Sequence, residues 1–248
     1  PARALRRNLP VGQPLMDGDR VTISAEDLKA LAIRAFVRAG FGQHDADTTA
    51  EILITTDLMG ISTHGVHRLD QYLKRIDAGV VPAQPDIKVI DKAASIAVVD
   101  GGGGQGQVVG ARALETAIVK AIKSGIGFVS VGNSNHFGAM APYGFAATVA
   151  GLILVSGTTA SPSMMPFGGR DLRLGNNPIG FAAPNKSGAP FLLDMALSVA
   201  ARGKMRKLRD TGEAMPLGWA LDADGQPTTN PQAGLDGFIP FIGGHQGY

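Results

Sequence analysis

The 248-residue chain has no cysteine, which excludes disulfide bonds, thiolate nucleophiles and thiolate metal sites. Any redox chemistry would therefore depend on a bound cofactor. No apolar run approaches the roughly 20 residues that cross a bilayer, and the N-terminal residues lack the pattern of a secretory signal. We expect a cytoplasmic protein that does not act at a membrane.

Excess charge and aromatic side chains are also scarce. The formal net charge is +2 and aromatic residues make up 6% of the chain, whereas nucleic-acid binding depends on positive charge and stacking. We therefore expect no nucleic-acid partner. Residues 1–20 contain Arg3, Arg6 and Arg7 among prolines and glycines, which predicts a flexible N-terminal tail. A second basic cluster begins at Arg202.

Helical periodicity dominates the first third of the chain. Ser24 precedes Asp27 by three residues, as at many helix N-termini, and apolar residues at helical spacing continue to Gly40. Two further helices are predicted at about 45–58 and 63–76, and the apolar face of the second consists of Leu69, Tyr72, Leu73 and Ile76. We therefore predict a helical N-terminal part over residues 21–86.

The remaining residues, 87–248, show short β-branched runs separated by helical or glycine-rich segments, which is typical of an α/β structure. The predicted strands are 87–90, 95–99, 126–131, 152–156 and 191–193. Long loops are predicted near 161–178 and 211–237.

A glycine run in VVDGGGGQGQVVGARALETAI, residues 98–118, has the spacing of a dinucleotide-binding fingerprint at Gly101, Gly103 and Gly106. A Rossmann unit also needs a carboxylate at the end of the next strand, but residues 132–136 read GNSNH. Four consecutive glycines also make a chance match easy. The residues favour a flexible strand-to-helix turn, with the Rossmann interpretation as the alternative.

Chemistry is more strongly indicated in GISTHGVHRLDQYLKRIDAG, residues 60–79. If Ser62 or Thr63 caps the third helix, His64 lies in its first turn and Arg68 on the same face. The positive end of a helix lowers an imidazole pKa, and a guanidinium grips a carboxylate with two hydrogen bonds. The pattern predicts a site for a small keto, hydroxy or imino acid. The alternative is a histidine at a helix start and a solvated arginine.

A second polar cluster, with Ser134, Asn135 and His136, follows a predicted strand and precedes a helix. Side chains and free backbone N–H groups at such a junction can meet a ligand. The alternative is a polar turn in which His136 is simply hydrogen-bonded. Neither His136 nor His64 has metal-ligand spacing, so we expect no metal.

Seven ordered segments between Val21 and Tyr248 resemble the type 2 malate/L-lactate dehydrogenase family, which includes sulfolactate and ureidoglycolate dehydrogenases and piperideine-2-carboxylate reductase. The segments are STHGVHRLDQYLKR, DGGGGQGQVVGARALETAI, SNHFGAMAPYG, PFGGRDLRLGNNPIGFAAP, LLDMALSVAARGK, GWALDADGQPTTNP and GGHQGY. The resemblance implies NAD or NADP on a non-Rossmann α/β fold, a mixed sheet covered by helices, with a helical N-terminal part. It also implies a homodimer, and a glycine run that does not bind the dinucleotide.

Motif matching implies roles for individual residues. His64 takes the position of the proton donor and acceptor, Thr63 orients its ring, and Arg68 anchors the substrate carboxylate. His136 would lie beside cofactor and substrate and is the acid/base in some members, so both histidines stay candidates, with His64 favoured. Asn176 would contact the substrate. The implied cofactor-binding residues are Ser134, Asn135, His136, Phe137, Asn177, Asp194, Arg202, Lys204, His245 and Gln246.

The implied reaction is hydride transfer between NAD(P) and C2 of a small 2-hydroxy or 2-oxo acid. One alternative is an NADPH-dependent reductase of cyclic imino acids such as piperideine- or pyrroline-2-carboxylate. Another, from a different class, is a catalytically inactive carboxylate-binding module. That alternative rests on Gln246, which replaces a lysine usual in the family, and on a truncated α/β part, since the family pattern continues beyond Tyr248. Thr63, Asn176 and Lys204 also depart from the family pattern.

Overall fold

A computed structural model describes residues 22–169 and 171–246. The predicted tail over residues 1–20 and the final residue, Tyr248, lie outside the described residues. Among the residues that are described, none of the helices combines the length and apolar character needed to cross a membrane.

Three helices form the N-terminal part, as predicted. They are α1 (Ala25–Arg38), α2 (Gln43–Leu58) and α3 (Leu69–Asp77). The Oγ atom of Ser24 accepts a hydrogen bond from the backbone N–H of Asp27 at 3.0 Å and caps α1. Phe36, Leu53 and Tyr72, one from each helix, meet in a shared apolar core. Burial of these apolar faces holds the helices together.

The third helix begins later than predicted. Two 3-10 turns, Ser62–His64 and Val66–Arg68, precede α3, and its N-cap residue Arg68 makes no side-chain capping bond. The predicted helix over residues 63–76, capped by Ser62 or Thr63, is therefore wrong in its first part. His64 and Arg68 lie on separate turns and not on one face of a continuous helix.

Within the described residues, the strands form three sheets. The first is mixed, with β1 (Lys88–Ala93) antiparallel to β2 (Ile96–Gly104) and β2 parallel to β3 (Phe128–Ser134). The helix α4 (Gly106–Ser124) connects β2 to β3. The second sheet is antiparallel and consists of β4 (Leu154–Gly157), β5 (Ile179–Ala183) and β6 (Phe191–Met195), in that order.

Three further helices accompany the second and third sheets. The helix α5 (Ala141–Val149) packs on the second sheet, where a Cβ atom at Gly144 would lie 2.9 Å from the Cβ atom of Ala182. The third sheet is the short pair β7 (Ala220–Leu221) and β8 (Pro227–Thr228), which lies near α6 (Arg202–Thr211) and α7 (Pro231–Asp236). Met205, Met215 and Leu235 belong to an apolar core that joins these last elements.

The predicted fold class, a mixed α/β structure with a helical N-terminal part, is confirmed. The five predicted strands correspond to β1, β2, β3, β4 and β6, whereas β5 was missed. Gly180 and Ala182 occupy the buried positions of β5. A Cβ atom at Gly180 would lie 3.0 Å from the Cβ atom of Met140, so this position has no room for a larger side chain. These small residues hide the apolar alternation of the strand. The predicted loop over 211–237 is wrong in part, since it contains β7, β8 and α7.

Candidate active site

A carboxylate of α2 positions the segment that carries His64. The Oδ2 atom of Asp57 accepts a hydrogen bond from the backbone N–H of Val66 at 2.8 Å. A Cβ atom at Gly65 would lie 2.0 Å from the Oδ1 atom of Asp57, so only glycine lets the chain pass this close. This contact with α2 explains why residues 62–68 form two turns and do not extend α3.

Arg68 is fixed against its own segment. Its Nε–H donates to the backbone oxygen of Thr63 at 2.7 Å, and its Nη1 donates to the Oε1 atom of Gln71 at 2.9 Å. Within the described part of the chain these bonds use two of the five N–H donors of the guanidinium. The remaining donors are free to bind an anion.

The glycine run positions the segment that carries His136. It prolongs β2 as far as Gly104, with positive φ angles at Gly102 and Gly103, and α4 follows at once. A Cβ atom at Gly106 would lie 2.3 Å from the backbone oxygen of Asn135 and 2.4 Å from that of His136. The backbone of residues 135–136 therefore passes directly against the start of α4, which requires glycine there.

Asn135 reinforces this packing through its side chain. Its Nδ2 donates to the backbone oxygen of Gly103 at 2.6 Å and to that of Gly104 at 3.2 Å. Its Oδ1 atom accepts from the Nη2 of Arg75 at 2.8 Å. The predicted cofactor residue Asn135 thus joins β2, the segment after β3 and α3 at one point.

The two candidate histidines face each other. The ring centroids of His64 and His136 are 5.6 Å apart and the ring planes differ by 22°. The Nδ1 atom of His64 is 2.9 Å from the Oγ1 atom of Thr63. The Nδ1 atom of His136 is 2.7 Å from the hydroxyl oxygen of Tyr72, which also accepts a hydrogen bond from Gln107 at 3.0 Å. The structure thus brings both candidates into one site.

Both imidazoles favour the neutral form. Burial lowers the pKa of His64, and the charge of Arg68 lowers it further, whereas the charge of Asp194 opposes the shift. His64 precedes α3 and does not lie in its first turn, so the position at a helix end predicted from the sequence is wrong. Burial lowers the pKa of His136 to about 4, with added repulsion from His64, Arg68 and Arg75. Part of His136 still reaches solvent, so the ring can meet a ligand.

Asp194 lies on β6 at the start of α5. Its Oδ2 atom accepts hydrogen bonds from the backbone N–H groups of Met140 at 2.7 Å and Ala141 at 3.0 Å. A carboxylate at a helix N-terminus stabilises the helix, and the charge of this one also reaches His64. Asp194, predicted as a cofactor residue, is thus placed beside the histidine pair.

Four other predicted residues have mainly structural contacts. The hydroxyl of Ser134 donates to the backbone oxygen of Asn135 at 3.5 Å, and the backbone oxygen of Phe137 accepts from the hydroxyl of Tyr143 at 2.8 Å. Asn176 accepts at its backbone oxygen from Leu197, and the Oδ1 atom of Asn177 accepts from the backbone N–H of Ala160. Their predicted roles at substrate and cofactor stay predictions.

The remaining predicted residues lie on α6 and on a 3-10 turn over Gly244–Gln246. A Cβ atom at Gly203 would lie 3.7 Å from the Cγ2 atom of Thr63, so the start of α6, with Arg202 and exposed Lys204, borders the site. Arg202 donates to the backbone oxygen of Leu235. On the 3-10 turn, the exposed His245 packs its ring against Phe167 at 5.7 Å between centroids, and Gln246 is also exposed. The structure shows no direct contact of His245 or Gln246 with the histidine pair within residues 22–169 and 171–246.

Sequence reasoning missed three residues of the site. Tyr72 was predicted only as part of an apolar face, and no role was predicted for Gln107. Arg75 follows Arg68 by seven residues, a spacing that places two side chains on one side of a helix, and this signal was available. Gln107 is completely buried, and a polar residue in such a position needs a partner.

Comparison with known proteins identifies relatives of the whole described region. Residues 23–248 match the family model described as malate/L-lactate dehydrogenase. The chain is 42% identical over 241 residues to malate dehydrogenase of Pyrococcus abyssi, covering 94% of this chain and 66% of that protein. The chain thus spans about two thirds of the length of the curated relatives it matches. Relatives at 34–37% identity include an NAD(+)-dependent and an NADP(+)-dependent dehydrogenase.

Solved structures agree with this assignment. Sulfolactate dehydrogenase from Methanocaldococcus jannaschii superposes with a TM-score of 0.86 at 38% identity, covering 92% of this chain and 66% of that one. Delta1-piperideine-2-carboxylate reductase from Pseudomonas syringae gives a TM-score of 0.87 at 32% identity, covering 92% and 69%.

Proposed function

Since the chain belongs to the malate/L-lactate dehydrogenase family, we propose that it transfers a hydride between NAD or NADP and C2 of a small 2-hydroxy or 2-oxo acid. The observation that carries the proposal is the stacked pair His64 and His136, at 5.6 Å, beside the charge of Arg68. This arrangement offers an exchangeable proton and an anion anchor in one place. Such a site suits a small carboxylic acid with an oxygen at C2.

Arg68 binds the substrate carboxylate in this proposal. Its bonds to the backbone oxygen of Thr63 and to Gln71 fix the plane of the guanidinium. The remaining N–H donors then meet the carboxylate oxygens without further loss of side-chain freedom. Fixing the acid at one end orients C2 with respect to the histidine pair.

His64 exchanges the proton. In the reductive direction its imidazolium donates a proton to the oxygen on C2, and in the oxidative direction the neutral ring accepts it. The lowered pKa keeps the neutral form abundant near pH 7, while the charge of Asp194 keeps protonation accessible. The hydroxyl of Thr63, 2.9 Å from Nδ1, orients the ring.

The bound nicotinamide cofactor supplies or receives the hydride. The residues around the histidine pair fit such a group, since the polar residues Ser134 and Asn135 directly precede His136 and the basic start of α6 lies next to Thr63, where a Cβ atom at Gly203 would be 3.7 Å from its Cγ2 atom. The residues proposed to hold it are Ser134, Asn135, His136, Phe137, Asn177, Asp194, Arg202, Lys204, His245 and Gln246. Cations at the start of α6 suit the charge of a pyrophosphate.

The test is the near-ultraviolet absorbance of the reduced nicotinamide, followed with a panel of 2-oxo, 2-hydroxy and cyclic imino acids and with both cofactors. We expect turnover with at least one open-chain acid and its loss in His64→Gln. Binding of cofactor without turnover of any acid would overturn the proposal and favour an inactive carboxylate-binding module.

A second candidate function is the reduction of cyclic imino acids such as piperideine- or pyrroline-2-carboxylate. It is favoured by the likeness to delta1-piperideine-2-carboxylate reductase. A rate with a cyclic imino acid that exceeds every rate with an open-chain acid would establish it. The predicted homodimer and the predicted cytoplasmic location stay predictions.

A further inference from the structure

A chain of hydrogen bonds runs from the protein interior to His136. The Nε2 of Gln105 donates to the Oε1 of Gln107 at 2.6 Å, and the Nε2 of Gln107 donates to the hydroxyl oxygen of Tyr72 at 3.0 Å. That hydroxyl lies 2.7 Å from the Nδ1 atom of His136. Gln105, Gln107 and Tyr72 are exposed by 1%, 0% and 3%. Water therefore does not compete for these groups.

The direction of this chain determines which nitrogen of His136 carries hydrogen. Among the described residues, the Tyr72 hydroxyl forms hydrogen bonds only with Gln107, which donates to it, and with His136, so its one hydrogen is left to point at His136. The Nδ1 atom must then accept, which requires that it carry no hydrogen. In a neutral imidazole the hydrogen is consequently on Nε2.

We propose that Tyr72 and Gln107 are positioning residues that hold His136 as the neutral Nε2–H tautomer, and that His136 therefore serves the site as a fixed hydrogen-bond donor. Protonation at Nδ1 would place two hydrogens between His136 and Tyr72 and break the buried chain. A buried polar group that loses its hydrogen-bond partner destabilises the structure. His136 is thus held in one protonation state.

The charges around His136 also favour its neutral form. The groups that act on its ring are His64, Arg68 and Arg75, all of which are cations when charged. His64 differs, because the carboxylate of Asp194 acts on it and its partner Thr63 is exposed. The hydroxyl of Thr63 can rotate to donate or to accept, so His64 keeps a partner in both protonation states.

The consequence for catalysis rests on the proposed function. If the ligand is an oxo acid, the Nε2–H of His136 donates to one of its oxygens, while His64 exchanges the proton. The tautomer itself does not depend on that function. It is therefore testable in the protein without substrate or cofactor.

The experiment is nitrogen NMR of the full chain labelled in its histidines, with the His136 signals assigned by their absence in His136→Asn. We expect a protonated Nε2 and an unprotonated Nδ1 at neutral pH. Tyr72→Phe removes the hydroxyl that donates to Nδ1 of His136 and should give a mixture of tautomers. Tyr143→Phe is the matched control, since the buried hydroxyl of Tyr143 donates to the backbone of Phe137 and not to a histidine. It should leave the His136 tautomer unchanged.

Gln107→Glu supplies a sharper test, because a carboxylate of nearly the same shape can only accept. Tyr72 would then donate to residue 107 and accept from His136, so the hydrogen should move from Nε2 to Nδ1. A protonated Nδ1 in the unmodified chain would overturn the proposal. So would a His136 pattern that stays unchanged in folded Tyr72→Phe, which remains informative should the buried charge of Gln107→Glu prevent folding.

Discussion

His64 and His136 have rings 5.6 Å apart, yet the regions that hold them differ in almost every respect. His64 lies on a 3-10 turn beside exposed Thr63, and the next turn is attached to α2 through the hydrogen bond from Val66 to Asp57. His136 follows β3, and its backbone is pressed against the start of α4. The partner of His64 is the hydroxyl of Thr63, which can rotate to donate or to accept, whereas the partner of His136 is the buried hydroxyl of Tyr72.

The difference shows that the segments and hydrogen-bond partners that hold two identical side chains can give them different chemical roles. A group that exchanges protons needs a partner for both of its states, whereas a group that only orients a ligand gains from being fixed. We therefore expect changes near His64 to act mainly on turnover and changes near His136 to act mainly on geometry and stability.

The largest effect is expected for His64→Gln, which should lower turnover about 10²- to 10⁴-fold, as for loss of a general acid or base. His136→Asn should cost roughly tenfold, the effect of one hydrogen-bond donor. Cofactor affinity, measured by calorimetry, should change little in His64→Gln. Equal losses of turnover in the two variants would remove the contrast between the histidines.

Arg68→Lys should raise the KM for the acid about 10- to 100-fold, because an ammonium lacks the planar fork that binds a carboxylate. Gln71→Ala is the matched control, since it removes only the contact with Nη1 and should alter KM far less. Initial rates over a range of acid concentrations measure both. If cofactor affinity falls as much as acid affinity, Arg68 does not anchor the acid.

Gly106→Ala should destabilise the protein by about 1–3 kcal/mol, the usual cost of forcing atoms into a packed position. The new methyl group would lie 2.3 Å from the backbone oxygen of Asn135 and would displace the His136 segment. Gly132→Ala is the control, because a Cβ atom there meets nothing within 4 Å. Urea unfolding of both variants tests whether the support of His136 is as tightly packed as the comparison requires.

The smallest effect is a pH dependence of stability. The pKa of His136 is about 4 in the folded chain and near 6.5 for a free imidazole, so the unfolded chain binds more protons between these values. Stability should therefore rise as pH increases from about 4 to about 6.5. His136→Asn should show a shallower rise in its urea midpoint. Parallel curves for the two proteins would contradict a lowered pKa for His136 in the folded chain.

Local signals in the sequence predicted much of the helical part. The cap of α1 depends on Ser24 and Asp27, three residues apart, and the structure confirms it. The break before α3 depends on Asp57, nine residues before Val66, and helical periodicity contains no trace of that contact. Short-range patterns therefore predicted which segments are helical but not where the third helix begins.

The candidate site shows the same limit. His64 and His136 are both noticed as polar residues near predicted element ends, and the structure brings them together. The hydroxyl of Tyr72 bonds to a residue 64 positions later, so its role depends on tertiary packing. Periodicity correctly predicted that Tyr72 is buried, but it gave no information about which partner its hydroxyl finds.

Asp194 has a consequence for how the site can change. The same carboxylate accepts two backbone N–H groups at the start of α5 and acts electrostatically on His64. A substitution that retunes the proton affinity of His64 through Asp194 would also fray the first turn of α5. A change of pH optimum through Asp194 would therefore also lower thermal stability. Substitutions at Thr63 or at the start of α6 would change the surroundings of His64 without removing these two hydrogen bonds.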